Sequence, residues 1–290
     1  MKILVTGGAG FIGSHLSERL LHEGATVIGL DALTDHYPRD RKERNLAGLL
    51  GTAGFTFVEA LLADADLPAL LEGVTHVFHL AAQPGVRKSW GRDFHVYTVN
   101  NVDATQVLLE ACVGRPIERL VFASSSSVYG DEAPLPMRED LRLQPVSPYG
   151  VTKLAAEQLC YLYHVNHGVP AVSLRYFTVY GPRQRPDMGF SRFLSAAVHG
   201  EAVTQFGDGH QTRDFTFVAD AVAATVAAAR RGTPGGVYNI GGGSRIELLD
   251  VFTLIGQITG RPLRIERVNA QHGDMRDTYA DASRARADLG

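Results

Sequence analysis

The chain has 290 residues, 45% hydrophobic and 20% charged, which is enough apolar material for a sizeable core and excludes a disordered chain. Lys and Arg number 28 against 31 Asp and Glu, giving a net charge of −3, and there is no basic stripe, so we expect no nucleic-acid partner. No apolar run approaches the ~18 residues of a membrane span, no signal peptide is recognisable, and two cysteines, Cys112 and Cys160, predict neither disulfides nor a metal site; we expect a cytoplasmic protein without membrane or metal partners.

Up to residue 176 the chain alternates short apolar segments with amphipathic ones. The segments 3–5, 25–30, 55–58, 76–80, 119–123 and 169–176 predict strands, and the segments 11–23, 99–112 and 150–166 predict helices. Strands separated by helices indicate an α/β fold with a Rossmann-type doubly wound parallel sheet.

The pattern changes after about residue 180. Gly, Pro and charged residues crowd 181–186, shorter elements follow, and helices are predicted at about 219–230 and 247–256. We expect residues 1–180 to form the Rossmann domain and residues 181–290 to form mainly a smaller α/β lobe, with an indistinct boundary and interleaved segments.

A glycine-rich turn joins the first predicted strand to the first predicted helix. Gly7, Gly10 and Gly13 have the spacing that brings a backbone close to a pyrophosphate, and the N–H groups of the helix start then face the phosphates. Asp31 ends the second strand, 18 residues after Gly13. A carboxylate there accepts hydrogen bonds from ribose hydroxyls and repels a 2′-phosphate, so the pattern predicts NAD and not NADP.

A second motif places Tyr149 and Lys153 at i and i+4, on one face of a predicted helix. A free tyrosine has a pKa near ~10. A nearby ammonium and a positive nicotinamide ring would both favour the phenolate, which could take a proton from a sugar hydroxyl. Residues 124–127 are all serine and follow a strand, at the sheet edge where ligands bind, and would relay that proton.

With His79-Leu80-Ala81-Ala82, these motifs resemble the extended short-chain dehydrogenases/reductases, the NAD-dependent epimerase/dehydratase family, over essentially the whole chain. The resemblance implies a bound NAD and a C-terminal lobe that grips a nucleoside diphosphate sugar. It implies Tyr149 and Lys153 as the acid/base pair and Ser125 as the catalytic hydroxyl. The residues implied in cofactor binding are Gly7, Gly10, Phe11, Ile12, Gly13, Asp31, Leu80, Ala81, Ala82, Asn100, Ser124, Tyr149, Lys153 and Tyr176.

The serine run discriminates among the reactions of this family. In the family's sugar dehydratases and UDP-glucuronate decarboxylases, the stretch that corresponds to the serine run contains a carboxylate residue. This chain instead has Ser125-Ser126-Ser127-Val128-Tyr129. Oxidation and re-reduction at one carbon need no such carboxylate. An isomerase that epimerises its sugar through a transient 4-keto intermediate is therefore favoured.

Two further stretches, 81–89 and 175–188, resemble the UDP-glucuronate 4-epimerases. A sugar carboxylate is well bound by a guanidinium and hydroxyl donors, which Arg185, Thr178, Ser126 and Ser127 would provide. The resemblance implies C4 epimerisation of UDP-glucuronic acid to UDP-galacturonic acid, with a UDP-sugar as the partner. The other residues implied in substrate binding are Val86, Arg87, Arg192, Phe206, Gln211, Arg213 and Arg276.

The roles implied for these last residues differ. Arg213 and Arg276 are expected on the diphosphate, and Gln211 or Phe206 beside the uridine. Arg192 is a second candidate for the carboxylate or the diphosphate.

Three alternatives stay open: a UDP-glucose 4-epimerase, a UDP-glucuronate decarboxylase, and a nucleotide-sensing scaffold on an inactive epimerase fold. The sequence also departs from the family pattern at Leu61, where an Asp usually holds the adenine, so NAD affinity is weaker or a neighbour substitutes. The helices at about 99–113 and 150–166 are expected to pair in a homodimer, as in dimers of this family.

Overall fold

The computed structural model describes residues 1–290. Its strands are β1 (Lys2–Thr6), β2 (Thr26–Asp31), β3 (Phe55–Glu59), β4 (His76–His79), β5 (Arg119–Ser125), β6 (Ala171–Tyr176), β7 (Val179–Tyr180), β8 (Ala202–Phe206), β9 (Thr212–Asp214), β10 (Thr216–Phe217), β11 (Val237–Ile240), β12 (Arg245–Glu247) and β13 (Arg264–Val268). Its α-helices are α1 (Phe11–His22), α2 (Arg39–Leu46), α3 (Leu67–Leu70), α4 (Phe94–Tyr97), α5 (Ala104–Cys112), α6 (Pro148–His167), α7 (Gly189–His199), α8 (Val218–Arg231), α9 (Leu248–Thr259) and α10 (Ser283–Leu289).

Seven strands form one parallel sheet in the order β11-β6-β5-β4-β1-β2-β3. Strand β6 is buried along its whole length, as expected for a parallel strand covered on both faces. The strand order reverses between β1 and β4, and in such sheets the ligand crevice opens at this point, beyond the carboxyl ends of the strands. The predicted doubly wound α/β fold is confirmed.

Two apolar clusters cover the two faces of this sheet. On one face, α1 and α8 bury side chains such as Leu16 and Val222. On the other, α5 and α6 bury side chains such as Leu108 and Cys160. Both cysteines are buried free thiols. Because helices pack on both faces, the sheet is a rigid support for the residues at its carboxyl edge.

The helix predicted at 99–112 is not regular. It continues from α4 through a π-helical segment, Thr98–Asp103, into α5. Inside this segment the buried Asn101 accepts a hydrogen bond from Gln83 N (2.6 Å) and donates to Thr152 Oγ1 (2.9 Å). The π-helical turn therefore connects the loop after β4 to α6, and such turns occur often at functional sites.

The second half of the chain divides between two regions. Helix α8 packs against α1, and β11 pairs with β6, so residues 218–240 belong to the large sheet layer. The pairs β7–β10, β8–β13 and β9–β12 form small two-stranded sheets, and α7 packs against α9. These small sheets and their two helices make up a lobe beside the carboxyl edge of the large sheet.

Candidate active site

The glycine turn between β1 and α1 is too tight for side chains. Gly7 has a φ of 72°, and a Cβ on it would lie 2.8 Å from Ala81 N. A Cβ on Gly13 would lie 2.1 Å from Gly7 O. Helix α1 therefore starts directly against the turn, and its N-cap, Gly10, makes no side-chain cap. The first N–H groups of the helix remain available to an anion such as a pyrophosphate.

Asp31 lies at the end of β2, beside this turn. Its carboxylate accepts hydrogen bonds from Ala9 N (3.1 Å) and Leu33 N (2.9 Å), which fix its orientation. Burial raises the pKa of this carboxyl, and the two backbone hydrogen bonds oppose that shift. The position suits a ribose hydroxyl, as the sequence predicts. The neighbouring wall at 60–63 contains Leu61 and only apolar side chains, so no carboxylate there replaces the absent Asp.

A cavity of about 550 Å³ extends from the glycine turn to the loops after β5 and β6. It lies at the predicted crevice of the large sheet. Every residue predicted to contact the cofactor lines it, and so do Val86, Ser126, Ser127, Thr178 and Arg185 from the predicted substrate set. The fit of the glycine turn, Asp31 and this cavity to a dinucleotide is good.

Helix α6 places Tyr149 and Lys153 in this cavity. Ser147 caps the helix by accepting a hydrogen bond from Gly150 N (3.1 Å), and Pro148 begins it, as is usual for a helix start. Tyr149 thus lies in the first turn and Lys153 one turn later, on the same face. The Tyr149 ring packs edge-on against Tyr97.

Burial raises the pKa of Tyr149, while a hydrogen bond with Ser125 and the charge of Arg185 lower it. Burial lowers the pKa of Lys153 to about 8, and its ammonium lies 4.4 Å from the centre of the Phe122 ring. The effects that lower the pKa of Tyr149, and so favour the phenolate, come here from Ser125 and Arg185.

Three of the residues predicted to bind the cofactor line the cavity, but their side chains form hydrogen bonds with other groups of the protein. Ser124 Oγ donates to buried Glu157 (2.6 Å). The Tyr176 hydroxyl bonds Thr225 Oγ1 (2.6 Å). Asn100 donates to Val96 O (2.8 Å).

Arg185 is the cavity guanidinium. It donates to both oxygens of Asp187, each at 3.0 Å, and its side chain is 20% exposed. Thr178 follows β6, and Ser126 and Ser127 follow β5. These hydroxyls, Arg185 and Tyr149 all line the same cavity.

A second cluster lies between the loop after β4 and the lobe, outside the cavity lining. The Arg87 guanidinium stacks on the Phe206 ring at 3.8 Å and pairs with Asp274, and Gln211 Nε2 donates to Phe206 O (2.9 Å). The structure therefore joins Arg87 to residues far from it in the chain.

The other predicted arginines differ in their surroundings. Arg213 donates to three backbone carbonyls, those of Thr212, Met275 and Arg276, so three of its donors are occupied by the protein. Arg276 pairs with Asp208 at the surface. Arg192 lies exposed on α7, outside the cavity lining.

Sequence reasoning missed several buried polar residues behind the site. Asn101, and not its neighbour Asn100, connects the loop at Gln83 with α6. Glu157 and Arg175 form an ion pair at 2.6 Å, with side chains only 2% and 3% exposed. Glu157 follows Lys153 at i+4 on α6, a spacing that could have revealed it. The pairing with Arg175 depends on the adjacency of α6 and β6.

The fold and cavity are those of a Rossmann-type enzyme that binds a dinucleotide beside a tyrosine/lysine pair. The chain belongs to the NAD-dependent epimerase/dehydratase family, whose family model matches residues 3–241. NAD is accordingly its cofactor.

Known relatives are similar over nearly their full length. A Bacillus subtilis (strain 168) protein named uncharacterized UDP-glucose epimerase YtcB is 49% identical, over 99% of this chain and 91% of its own. The crystal structure of UDP-glucuronic acid 4-epimerase from Bacillus cereus in complex with UDP-glucuronic acid and NAD is 44% identical, with a TM-score of 0.97, over 100% of this chain and 93% of that one.

A third relative, MoeE5, has been solved with NAD and either of two sugars. With UDP-glucuronic acid it is 43% identical, with a TM-score of 0.90, over 100% of this chain and 93% of that one. With UDP-glucose it is 42% identical, with a TM-score of 0.89, over 100% and 92%.

No helix has both the length and the apolar character needed to cross a membrane. No group of three or more His, Cys, Asp or Glu side chains is arranged to hold a metal ion.

Proposed function

We propose that the protein catalyses the NAD-dependent C4 epimerisation of UDP-glucuronic acid to UDP-galacturonic acid. The observation that carries the proposal is one cavity lined by Tyr149, Ser125 and Arg185 and also by Thr178, Ser126 and Ser127. A carboxylate on the sugar would meet a planar cation and hydroxyl donors at one end. The sugar hydroxyl at C4 would meet Tyr149.

The residues divide the work by position. Bound NAD supplies the hydride acceptor and the hydride donor. Tyr149 takes the proton from O4 and later returns it, and Ser125 orients that hydroxyl and stabilises the phenolate. Lys153, buried beside them, adds positive charge to the site. The carboxylate is held by Arg185, Ser126, Ser127 and Thr178. The sugar turns about its diphosphate linkage while its carboxylate stays bound.

The second cluster fits the nucleotide end of the same substrate. Phe206 offers a flat apolar face for a uracil ring, and Gln211 offers an amide. Arg87, a member of the cluster, and Arg276 would bind the diphosphate after giving up their carboxylate partners Asp274 and Asp208. Arg213 would contribute by supporting the backbone of Met275 and Arg276.

A UDP-glucose 4-epimerase is the second candidate. It is favoured by the pairing of Arg185 with Asp187, which leaves no uncompensated cation against a neutral sugar. The name of the Bacillus subtilis relative and the UDP-glucose complex of MoeE5 also favour it.

A product assay distinguishes the two. The NAD-loaded enzyme is incubated separately with UDP-glucuronic acid and UDP-glucose, and the sugar nucleotides are separated while CO₂ is trapped. We expect UDP-galacturonic acid without CO₂. Formation of UDP-galactose alone would replace the proposed substrate with the neutral sugar, and CO₂ release with a pentose product would indicate a decarboxylase.

We also propose a homodimer in the cytoplasm. Helix α6 presents Val151, Tyr161, Leu162 and Val165 to the surface, each 47–60% exposed, and the spacing puts them on one face. An apolar face of this kind on a helix that carries the catalytic pair is suited to a second copy of the chain. Two buried free thiols are consistent with a reducing compartment.

A further inference from the structure

Arg185 already has a carboxylate partner within the cavity wall. Its Nε and Nη2 donate to Oδ1 and Oδ2 of Asp187, each at 3.0 Å. These two parallel bonds use the edge of the guanidinium that binds a carboxylate in bidentate fashion. A substrate carboxylate and Asp187 therefore cannot both occupy that edge.

Beside Asp187 lies a buried donor without an acceptor. The His36 side chain is 8% exposed, and its Nε2 is 3.8 Å from Asp187 Oδ2, beyond hydrogen-bond length. Gln83 Nε2 lies 2.9 Å from His36 Nδ1. An amide donor there makes Nδ1 the acceptor and leaves the proton of the neutral ring on Nε2. That Nε2 has no hydrogen-bond partner, which is costly for a buried polar atom.

The two observations are complementary. Asp187 is paired with Arg185 at 3.0 Å, and its second possible partner, His36 Nε2, lies 3.8 Å away, beyond hydrogen-bond length. The nearby Arg185 and His36 hold the pKa of Asp187 well below its usual range, so the group is a carboxylate at neutral pH.

We propose that Asp187 is a specificity-determining residue that exchanges partners: it holds Arg185 when no sugar carboxylate is present and turns to His36 Nε2 when the substrate takes Arg185. The inference rests on the proposed function. A neutral UDP-sugar leaves the Arg185–Asp187 pair intact. An acidic one must break it, and the new bond to His36 recovers part of the loss. Asp187 thus reduces the preference of the enzyme for acidic over neutral UDP-sugars.

The test compares binding of UDP-glucuronic acid and UDP-glucose to the NAD-loaded enzyme by calorimetry. All proteins carry Tyr149→Phe so that neither sugar is converted. Adding Asp187→Asn should tighten UDP-glucuronic acid about five-fold, the equivalent of ~1 kcal/mol, and should not tighten UDP-glucose. Asp140→Asn is the matched control, because Asp140 forms the same i, i+2 bidentate pair with Arg138 at the surface, and it should change neither constant.

His36 provides an independent arm. His36→Phe should weaken UDP-glucuronic acid more than UDP-glucose, because the displaced Asp187 then has no donor. In the Asp187→Asn background, His36→Phe should change the affinity for both UDP-sugars by the same factor. This comparison separates the effect of Asp187 from that of losing the contact between His36 and Gln83.

The opposite sign for Asp187→Asn would overturn the proposal. If UDP-glucuronic acid binds more weakly, Asp187 only positions Arg185, and if the ratio of the two constants is unchanged, no exchange occurs. Failure of the proposed function has a different signature: Arg185→Ala would leave UDP-glucuronic acid binding unchanged and the enzyme would form no UDP-galacturonic acid.

Discussion

At position 149, a phenol on the first turn of α6 lines the candidate active-site cavity. Tyr149→Phe keeps the ring and its packing against Tyr97 but removes the group that exchanges the O4 proton. We expect kcat to fall by about 100- to 10,000-fold, the usual contribution of a general acid/base, while NAD remains bound. Turnover is measured by sugar-nucleotide separation, and cofactor content by release on denaturation. Retained turnover above one tenth of wild type would assign the proton transfer to another group.

The hydrogen bond from Ser125 gives a prediction for pH dependence. It lowers the pKa of Tyr149, so Ser125→Ala raises that pKa. A base works when deprotonated, and activity therefore rises with pH through its pKa. The ascending limb of kcat/KM should move to higher pH by about one unit, since a hydrogen bond contributes ~1 kcal/mol. Ser126→Ala, next in the run, is the control, and its limb should stay in place. A limb that does not move in Ser125→Ala would contradict this assignment.

Among the elements, the junction of β1 and α1 has no room for a Cβ atom at Gly13. A Cβ at Gly13 would lie 2.1 Å from Gly7 O, and both atoms are on backbone that cannot give way. Gly13→Ala should therefore shift α1 away from the turn, lower the stability by about 3 kcal/mol and abolish copurification of NAD. Thermal unfolding and cofactor content measure these effects. Gly48→Ala, where the nearest atom is 3.5 Å away, should change neither, and a stable, NAD-loaded Gly13→Ala protein would refute the proposed phosphate site.

For the whole molecule, the exposed face of α6 is the dimer interface that we propose. Val165 is 60% exposed on that face, and Val198, on α7 in the lobe, is 57% exposed. We expect Val165→Glu to convert the proposed dimer into monomers, because the charge would be buried between two copies, while Val198→Glu leaves it dimeric. Sedimentation velocity distinguishes the two states. A monomeric wild type, or a dimer unaffected by Val165→Glu, would exclude this face as the interface.

Local patterns determined much of this protein. The alternation of apolar and amphipathic segments predicts the doubly wound sheet, because burial on both faces imposes it on each strand separately. The glycine spacing and the Tyr149/Lys153 pair are also local, since the turn and the helical repeat fix where those atoms lie relative to each other.

The tertiary structure alone decided what depends on distant contacts. The π-helical turn at Asn101 is stabilised by partners at Gln83 and Thr152, which no periodicity reveals. Residues 218–240 belong to the large sheet layer because β11 pairs with the free edge of β6. The pKa of Tyr149 is lowered by Ser125 and by Arg185, and both are distant from it in sequence. His36 lies beside Asp187 only because the segments that follow β2 and β6 meet at one edge of the large sheet, where parallel strands bring their carboxyl ends together.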